Sequence, residues 1–349
     1  MRALTVQPGV PGSARLDDRA DAVGEGALLV QSVMLGICGT DAEILRGEYG
    51  SAPPGHDRLV LGHESLARVL EAPAGSGLAV GDMVVGIVRE PDPVPCANCA
   101  AGAWDMCSNG RYREHGIKEL DGFAAERWRI DPRFAVRVDP ALGAAGVLLE
   151  PASVVAKAWE HIDRIGERSG VAWEPRTVLV TGAGPIGLLA ALFGAARGLE
   201  VHLFDRMTRG VKPALAKDLG AAWHSGSLDD IGLEPDIVIE CTGAPSLLFD
   251  LIGRTARNGI ICLAGVSSAG RRLTVDAGML NRTIVLENDV MFGTVNANRR
   301  HYEAAARVLG ASDHGWLMRL ISRRVPPERW ADAVEKGPDE VKVVLQFPH

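Results

Sequence analysis

The sequence lacks the long basic, apolar and cysteine-rich segments that mark several classes of protein. Its 349 residues contain no long run of lysine or arginine, the formal net charge is −7, and the pI is near 5.8. We therefore expect neither nucleic acid nor an anionic membrane as a partner. No apolar run approaches the ~20 residues of a membrane helix. The N-terminus turns polar within a few residues, unlike a signal peptide, so we expect a cytoplasmic protein.

Cysteine is also scarce. The chain has six cysteines: Cys38, Cys96, Cys99, Cys107, Cys241 and Cys262. They are too few for a disulfide framework in a chain of this length, and three of them, Cys96, Cys99 and Cys107, cluster. In a reducing compartment, such a cluster favours metal binding over disulfide bonds. Cys241 and Cys262 lie in apolar, strand-like runs and are predicted to be small buried core residues.

The order of the patterns predicts an α/β protein of two domains. Hydrophobic residues make up 47 % of the chain, which is enough for a large core, and the length fits about two domains of roughly 100–200 residues each. The first ~150 residues are rich in glycine and proline and have short alternating runs, a pattern typical of an irregular antiparallel β domain. From residue 177 onward, apolar strands alternate with helices, which predicts a doubly wound parallel sheet. No internal repeat or low-complexity tract is present.

We expect residues 1–152 and 296–349 to form one domain and residues 153–295 to form the other. Helices are predicted over 152–165, 186–197 and 299–309. Strands are predicted over 177–181, 201–204, 236–240, 259–263, 284–295 and 341–347. The segment 90–116, which holds the cysteine cluster, is predicted to be a loop lobe.

A glycine-rich turn, Gly182-Ala183-Gly184-Pro185-Ile186-Gly187, follows the first apolar strand of the predicted parallel sheet. The first glycine permits a tight turn, the second lets the backbone approach a pyrophosphate, and the third lets helix and strand pack closely. The following helix N-terminus offers unpaired N–H groups to phosphates. The turn therefore predicts a dinucleotide site that includes Pro185 and Ile186.

Three residues after the next strand bear on the choice of dinucleotide. Asp205 lies ~20 residues beyond the turn, where a carboxylate accepts hydrogen bonds from the adenosine ribose hydroxyls. It favours NAD, because it would repel a 2′-phosphate. Arg206 and Arg209 favour NADP instead, because both could pair with that phosphate. We predict NAD, with NADP as the alternative.

Four residues that are far apart in the chain offer sulfur, nitrogen and oxygen donors suited to a catalytic zinc: Cys38, His63, Glu64 and Glu150. Such a metal lowers the pKa of a bound hydroxyl, and alcohol oxidation needs the alkoxide before hydride can leave. Thr40 lies two residues after Cys38, and its hydroxyl could carry the proton away from the substrate oxygen. Asp41 could orient the loop. Metal ligands together with a dinucleotide turn predict an alcohol-oxidising enzyme.

These motifs occur in the same order in the zinc-containing medium-chain dehydrogenases, which the chain resembles over essentially its whole length. They are Cys-Gly-Thr-Asp, Gly-His-Glu, the cysteine lobe, Leu-Leu-Glu-Pro and Gly-Ala-Gly-Pro-Ile-Gly. The resemblance implies a GroES-like, mostly β catalytic domain followed by a Rossmann domain. Within the superfamily, the chain looks most like the glucose 1-dehydrogenases. The supporting stretches are Gly47–Gly50, Val88–Pro93, Arg113–Ile117 and Gly293–Asn296.

The resemblance implies oxidation of the C1 hydroxyl of an aldose, D-glucose to D-glucono-1,5-lactone, with hydride transfer to NAD(P)⁺. A polyol, amino-alcohol or other sugar dehydrogenase with the same zinc chemistry is an alternative, because pocket loops set specificity. A non-catalytic nucleotide-binding protein is a remoter one, since that function predicts loss of the zinc ligands. The resemblance also implies a dimer or tetramer, and apolar residues around 285–295 are candidate contact surfaces.

The same resemblance implies roles for individual residues. Cys38 and His63 match protein ligands of the catalytic zinc, and Glu64 and Glu150 match acids that reach the metal directly or through water. The other matched positions concern the substrate: Thr40 near the reacting oxygen, Glu114 and Glu150 on the sugar, and Asn296 and His301 in the lining of the nicotinamide and sugar pocket.

The cysteine lobe departs from the family pattern of four cysteines around a structural zinc. Cys96, Cys99 and Cys107 fill the last three places, but Pro93 occupies the first and cannot bind metal. We expect a second, structural zinc that has a substitute oxygen or nitrogen ligand. The candidates for that ligand are Asp92, Glu114 and His115.

Overall fold

A computed structural model describes residues 1–267, 270 and 272–348. Its strands, numbered in chain order, are β1 (Arg2–Val6), β2 (Arg15–Asp18), β3 (Leu28–Ile37), β4 (Leu59–Val60), β5 (Glu64–Glu71), β6 (Met83–Gly86), β7 (Arg89–Glu90), β8 (Arg113–His115), β9 (Glu119–Leu120), β10 (Arg127–Ile130), β11 (Ala135–Arg137), β12 (Thr177–Thr181), β13 (Glu200–Phe204), β14 (Ala222–His224), β15 (Ile237–Glu240), β16 (Ile260–Leu263), β17 (Val290–Gly293), β18 (Ile321–Val325) and β19 (Lys342–Gln346). Its α-helices are α1 (Gly39–Leu45), α2 (Ala97–Ala100), α3 (Leu149–Gly166), α4 (Pro185–Ala196), α5 (Val211–Asp218), α6 (Pro245–Asp250), α7 (Ala277–Glu287), α8 (Arg299–Ala311), α9 (His314–Leu320) and α10 (Trp330–Val334).

The chain divides into two compact units. The first comprises Met1–Ser153 together with Asn296–His349, and the second comprises Val154–Val295. Short 3₁₀ helices supplement the α-helices; they are Trp104–Met106, Pro132–Phe134, Pro140–Leu148, Glu167–Ser169, Leu228–Asp230 and Pro327–Arg329.

The largest sheet of the first unit is built around the long strand β3. The strand order is β11-β6-β5-β3-β19-β18, and β10 also pairs with β3. The pairing is antiparallel except between β18 and β19. Leu28, Val30 and Leu35 of β3 are fully buried, so this strand lies in the core. The C-terminal strand β19 pairs with β3 in the register Val343↔Ile37, which places the end of the chain beside the segment that leads into Cys38.

The second unit contains a six-stranded sheet in the order β14-β13-β12-β15-β16-β17, parallel throughout. Its central strands are nearly continuous runs of buried aliphatic residues, as expected for strands covered on both faces. The core includes Leu179, Val238, Leu251 and Ile261. The chain runs outward from β12 to β14 and then returns beside β12 with β15. This reversal creates the crevice at strand carboxyl ends where such sheets bind ligands. The predicted α/β class is confirmed.

The strand prediction for residues 284–295 is wrong in its first part. These residues were expected to form one strand, but Ile284 to Glu287 belong to α7. The Asp276 side chain caps the start of this helix by accepting the Met279 N–H, and Asn288, at φ 56°, ends it in the left-handed conformation. Only Val290–Gly293 form the strand.

A second prediction is also wrong: one segment of the chain is long and apolar enough for a membrane helix, when length and composition are the only criteria. The helical stretch Pro140–Ser169 passes that test, with a mean hydropathy of 1.3 over its most apolar window. However, 78 % of that window is buried inside the structure, which is the behaviour of a core helix.

Candidate metal and dinucleotide sites

Strand pairing brings Cys38 and His63 together. Cys38 follows β3 directly, His63 precedes β5, and these two strands pair with Gly36 opposite Glu64. Cys38 Sγ lies 3.2 Å from His63 Nε2. One ligand atom each from Cys38, His63 and Glu64 lie within 4.8 Å of one another. The structure therefore brings together three of the four predicted ligands of the catalytic metal.

Asp41 supports the imidazole from the other side. Its carboxylate accepts the Cys38 backbone N–H at 2.9 Å, and its other oxygen lies 3.7 Å from His63 Nδ1. Burial lowers the pKa of His63, but Cys38 and Asp41 outweigh it and raise that pKa well above its usual range. A carboxylate behind a metal-binding imidazole orients the ring and its tautomer.

Glu64 forms a buried ion pair with Lys342. The Lys342 ammonium lies 2.6 Å from Glu64 Oε1 and 2.5 Å from Oε2, and both side chains are less than 5 % exposed. Lys342 Nζ also donates to the carbonyl of Ile37 at 3.4 Å. Gly36 leaves the space for the carboxylate, since a Cβ there would lie 2.0 Å from Glu64 Oε2. Lys342 thus joins the segments that carry Glu64 and Cys38.

Glu150 and Thr40 are not among the converging donors of this cluster. Glu150 is buried on α3, and burial raises its pKa to about 7, with Glu64 adding to the rise and His63 opposing it. Its carboxylate is not among the donors within 4.8 Å. Thr40 is half-buried in the first turn of α1, and its hydroxyl forms no hydrogen bond with the described residues.

The donor set fits a zinc ion. A thiol, an imidazole and a carboxylate are the usual ligands of Zn²⁺, and three protein ligands leave a position open for substrate. Cys38 Sγ and His63 Nε2 face each other at 3.2 Å, with a Glu64 oxygen in reach of both. Such a convergence of donor atoms is what a metal site requires.

The predicted sugar-binding residues Glu114 and Asn296 are in contact. Asn296 Nδ2 donates to Glu114 Oε1 at 2.6 Å. Arg89 donates to the same oxygen from Nε and Nη2, at 3.0 and 2.9 Å. His301 is fully buried, and its Nδ1 accepts the Asn298 N–H at the start of α8, so it helps to cap that helix.

The cysteine lobe also assembles a donor cluster. One sulfur each from Cys96, Cys99 and Cys107 lie within 4.8 Å of one another. Hydrogen bonds from Ser108 and the Cys99 N–H lower the pKa of Cys96 to about 5, whereas burial raises the pKa of Cys99 to about 11. Three convergent thiols, one held toward the thiolate form, fit a structural zinc.

The three candidates for a fourth ligand of the lobe have other partners. The Asp92 carboxylate accepts hydrogen bonds from Asn109, Arg111 and the Val94 N–H. Glu114 is held by Arg89 and Asn296, as described above. His115 Nδ1 lies 2.8 Å from the Asp121 carbonyl, and its Nε2 lies 3.3 Å from a Glu90 oxygen. In the described part of the chain, the cluster therefore consists of three sulfurs.

In the second unit, the glycine-rich turn has the form that a dinucleotide needs. Gly182 has φ 88°, and a Cβ on Gly187 would lie 1.7 Å from the Gly182 carbonyl oxygen, so both positions require glycine. Apart from the neighbouring backbone, no atom of the described residues lies within 4 Å of a Cβ built on Gly184, which leaves its surface open to a ligand. Pro185 and Ile186 begin the twelve-residue helix α4.

Asp205 is tied to this turn. Its Oδ2 accepts the Ala183 N–H at 2.7 Å and its Oδ1 accepts the Met207 N–H at 3.0 Å. Its carboxylate thus lies beside the turn at the carboxyl end of β13. Arg206 and Arg209 are exposed.

Lys342 and Arg89 are the residues that sequence reasoning missed. Lys342 is the one charged residue in the apolar run Val341–Leu345, which is a signal that a sequence reader could have used. Charged residues are almost never buried unless they are paired. The partner could not have been identified, because Glu64 lies 278 residues away.

Comparison with known proteins gives a consistent result. Residues 24–140 match the family model described as alcohol dehydrogenase GroES-like domain, and residues 143–347 match glucose dehydrogenase C-terminus. The chain is 39 % identical to glucose 1-dehydrogenase 2 of Vulcanisaeta moutnovskia and 40 % identical to glucose 1-dehydrogenase of Thermoproteus tenax, each match covering 99 % of both chains. Its fold matches Haloferax mediterranei glucose dehydrogenase, solved in complex with NADP, zinc and gluconolactone, with a TM-score of 0.91, 28 % identity and full coverage of both chains.

The GroES-like match, the parallel sheet with its glycine-rich turn and the Cys38–His63 cluster define a two-domain zinc dehydrogenase. The chain belongs to the glucose 1-dehydrogenase family of the zinc-containing medium-chain dehydrogenases.

Proposed function

We propose that this protein oxidises the C1 hydroxyl of an aldose, D-glucose to D-glucono-1,5-lactone, with transfer of hydride to NAD(P)⁺. The observation that carries the proposal is the convergence of Cys38 Sγ and His63 Nε2 at 3.2 Å, with Glu64 in reach, in a chain that also has a dinucleotide turn. The names of its full-length relatives support glucose as the substrate.

Cys38, His63 and Glu64 would hold the catalytic zinc, with Glu150 nearby to exchange with water or substrate. When bound, Zn²⁺ lowers the pKa of a hydroxyl and polarises its C–O bond. We assign the proton transfer to Thr40: its Oγ1 would accept the proton of the C1 hydroxyl as its own proton passes to solvent. Lys342 would hold the Glu64 carboxylate beside the other two ligands, and Asp41, which lies near His63 Nδ1, would leave Nε2 for the metal.

The sugar hydroxyls distant from C1 are assigned to Glu114 and Asn296. Glu114 Oε1 accepts three hydrogen bonds from protein side chains, but Oε2 accepts none from the described residues. A carboxylate oxygen readily accepts hydrogen bonds from hydroxyl donors. Glu114 Oε2 is therefore the atom that we assign to the sugar. We assign His301 a supporting role, because it is fully buried and helps to cap the helix α8 that follows Asn296.

We assign the cofactor to the turn that includes Gly182, Gly184 and Gly187, with Asp205 at the adenosine ribose. NAD⁺, when bound, supplies the hydride acceptor. Asp205→Ala should weaken NAD⁺ more than NADP⁺, by about tenfold in KM, because the ribose loses a charged hydrogen-bond acceptor. Equal losses for both cofactors would contradict the placement at the ribose, and a wild-type preference for NADP⁺ would assign Arg206 and Arg209 to the 2′-phosphate.

We further propose a second, structural zinc on Cys96, Cys99 and Cys107, and assembly as a dimer or tetramer in the cytoplasm. All six cysteines are free thiols, which suits a reducing compartment. The strand β17 is the edge of its sheet, and Val285, Leu286 and Val295 near it are more than half exposed. A second copy could cover these residues. Light scattering of the purified protein would give the oligomeric state.

The decisive experiment is a steady-state assay of zinc-loaded protein with a panel of aldoses, polyols and simple alcohols and with both cofactors. We expect glucose or a close epimer to give the largest kcat/KM. Turnover of polyols or simple alcohols without any aldose would overturn the glucose assignment. Nucleotide binding without any turnover would leave only a binding function.

A further inference from the structure

Arg89 and Glu114 face each other on neighbouring strands. The register of β7 and β8 pairs Arg89 with Glu114, and both side chains are 6 % exposed. Two of the guanidinium nitrogens donate to the same carboxylate oxygen. An arginine at this place presents several donors in a rigid plane, which a lysine would not do.

The remaining guanidinium nitrogen is directed at the cysteine lobe. Arg89 Nη1 donates to the carbonyl of Asp105 at 3.1 Å, and the guanidinium lies 3.6 Å from the centre of the Tyr112 ring. Asp105 lies two residues before Cys107, in the 3₁₀ helix Trp104–Met106. Its own Oδ1 accepts a hydrogen bond from Asn298 Nδ2. Nε and both terminal nitrogens of the arginine therefore have fixed partners, and one face of the guanidinium lies against Tyr112.

These contacts determine how Glu114 is presented. Three donors occupy Oε1, two from Arg89 and one from Asn296, which fixes the plane of the carboxylate. A carboxylate oxygen has about two lone-pair sites, so Oε1 has no remaining capacity. A further donor, such as a sugar hydroxyl, is thereby left to Oε2.

We propose that Arg89 is a positioning residue for sugar binding: anchored by the cysteine lobe through Asp105, it holds Glu114 so that Oε2 faces the sugar hydroxyls. The proposal rests on the proposed function, since it takes Glu114 as the sugar-binding carboxylate. It makes sugar recognition depend on the cysteine lobe, which would otherwise only stabilise the fold.

The test compares Arg89→Lys and Arg89→Gln with the wild-type protein on glucose, 2-deoxyglucose and 3-deoxyglucose. We expect KM for glucose to rise about tenfold, with kcat much less affected, because a fixed charged hydrogen bond to the substrate is lost. We also expect wild type to lose about tenfold in kcat/KM on at least one deoxy sugar, and the variants to lose much less. A role in folding alone would not change that discrimination.

Arg113→Lys is the matched control. Arg113 precedes Glu114 on the same strand, but its side chain pairs with Glu90 at 2.7 Å. It should leave glucose KM and the discrimination unchanged. The Kd of the reduced cofactor, measured by its fluorescence, should stay at the wild-type value in all variants and shows that each has folded.

Cys107→Ser tests the link to the lobe. We expect it to raise glucose KM by itself and to add little in the Arg89→Lys background, because both changes release the same carboxylate. Fully additive effects would overturn the anchoring by the lobe. If both Arg89 variants kept the wild-type KM for glucose and the wild-type discrimination between sugars, the positioning role would be overturned. Their turnover of glucose would still leave the proposed function standing. Absence of any aldose turnover in wild type would overturn both.

Discussion

The two clusters of potential metal ligands in the first unit differ in what surrounds them. In the cluster of Cys38, His63 and Glu64, two of the ligands have a charged side chain behind them: Asp41 near His63 and Lys342 on Glu64. In the cysteine lobe, Cys96 is contacted by the backbone N–H groups of Cys99 and Ser108 and by the Ser108 side chain, none of which is charged. Charged supporting groups fix the orientation of ligands, which catalysis needs, whereas a loop cluster such as the second suits a metal that would stabilise the fold.

The largest expected effect is at the first cluster. Cys38→Ala removes a proposed ligand of the catalytic zinc, and we expect kcat/KM to fall by more than the 10–100-fold that is typical of losing a supporting partner. Bound zinc should fall by one ion per chain, while the Kd of the cofactor should persist. Retained turnover would show that Cys38 is not a ligand and would remove the difference between the clusters.

Lys342→Met tests the ion pair that supports Glu64. Removing one partner leaves a carboxylate buried without compensation, and we expect the free energy of unfolding of zinc-free protein to fall by about 3–5 kcal/mol. Denaturant titration measures it. Arg133→Met is the control, since Arg133 forms an exposed pair with Asp131 and its loss should cost less than about 1 kcal/mol. Equal losses in the two variants would contradict the importance of burial.

The pH dependence of stability should reveal Glu150. Burial raises its pKa to about 7, whereas an unfolded glutamate titrates near 4.3. The folded state thus binds the proton more tightly, and its contribution to stability is complete below about pH 4.3 and is lost as pH rises through 7. Zinc-free Glu150→Gln should show a flatter fall of the melting temperature over that range than wild type. Glu303→Gln is the control: Glu303 is exposed, so the melting temperature of this variant should change with pH as in wild type. If Glu150→Gln also followed wild type, the Glu150 carboxyl would not be buried as described.

The smallest expected effect on catalysis is at the lobe. Cys107→Ser should reduce the zinc content from two ions to one per chain and leave kcat within about threefold of wild type, because a structural metal stabilises a loop and does no chemistry. Mass spectrometry under native conditions counts the ions. Two ions retained would show that the lobe sulfurs are not a zinc site.

Short-range patterns predicted most elements of the second unit. The apolar runs over 177–181 and 236–240 are strands because their buried residues are continuous on both faces. The segment 284–295 misled, since its apolar residues suit either a strand or a helix. The Asp276 cap and the left-handed Asn288 decide for a helix ending at Glu287.

In the candidate site, the sequence singled out Cys38, His63, Glu64 and Glu114 as candidates, because each lies in a local motif. Lys342 and Arg89 escaped, because a basic residue shows its purpose only through the carboxylate that it meets. The Lys342–Glu64 pair spans 278 residues, and the Arg89–Glu114 pair depends on the register of two short strands.

By itself, the sequence determined the kinds of ligand, the dinucleotide turn and the alternation of strands and helices, since these follow from residue type and local spacing. Only the tertiary structure decided which buried charges meet. It placed the C-terminal strand beside β3, so that Lys342 reaches Glu64, and it gave the three lobe sulfurs no fourth ligand among the described residues. The physical reason is that charge pairing inside a protein depends on distances set by sheet register, which no local pattern encodes.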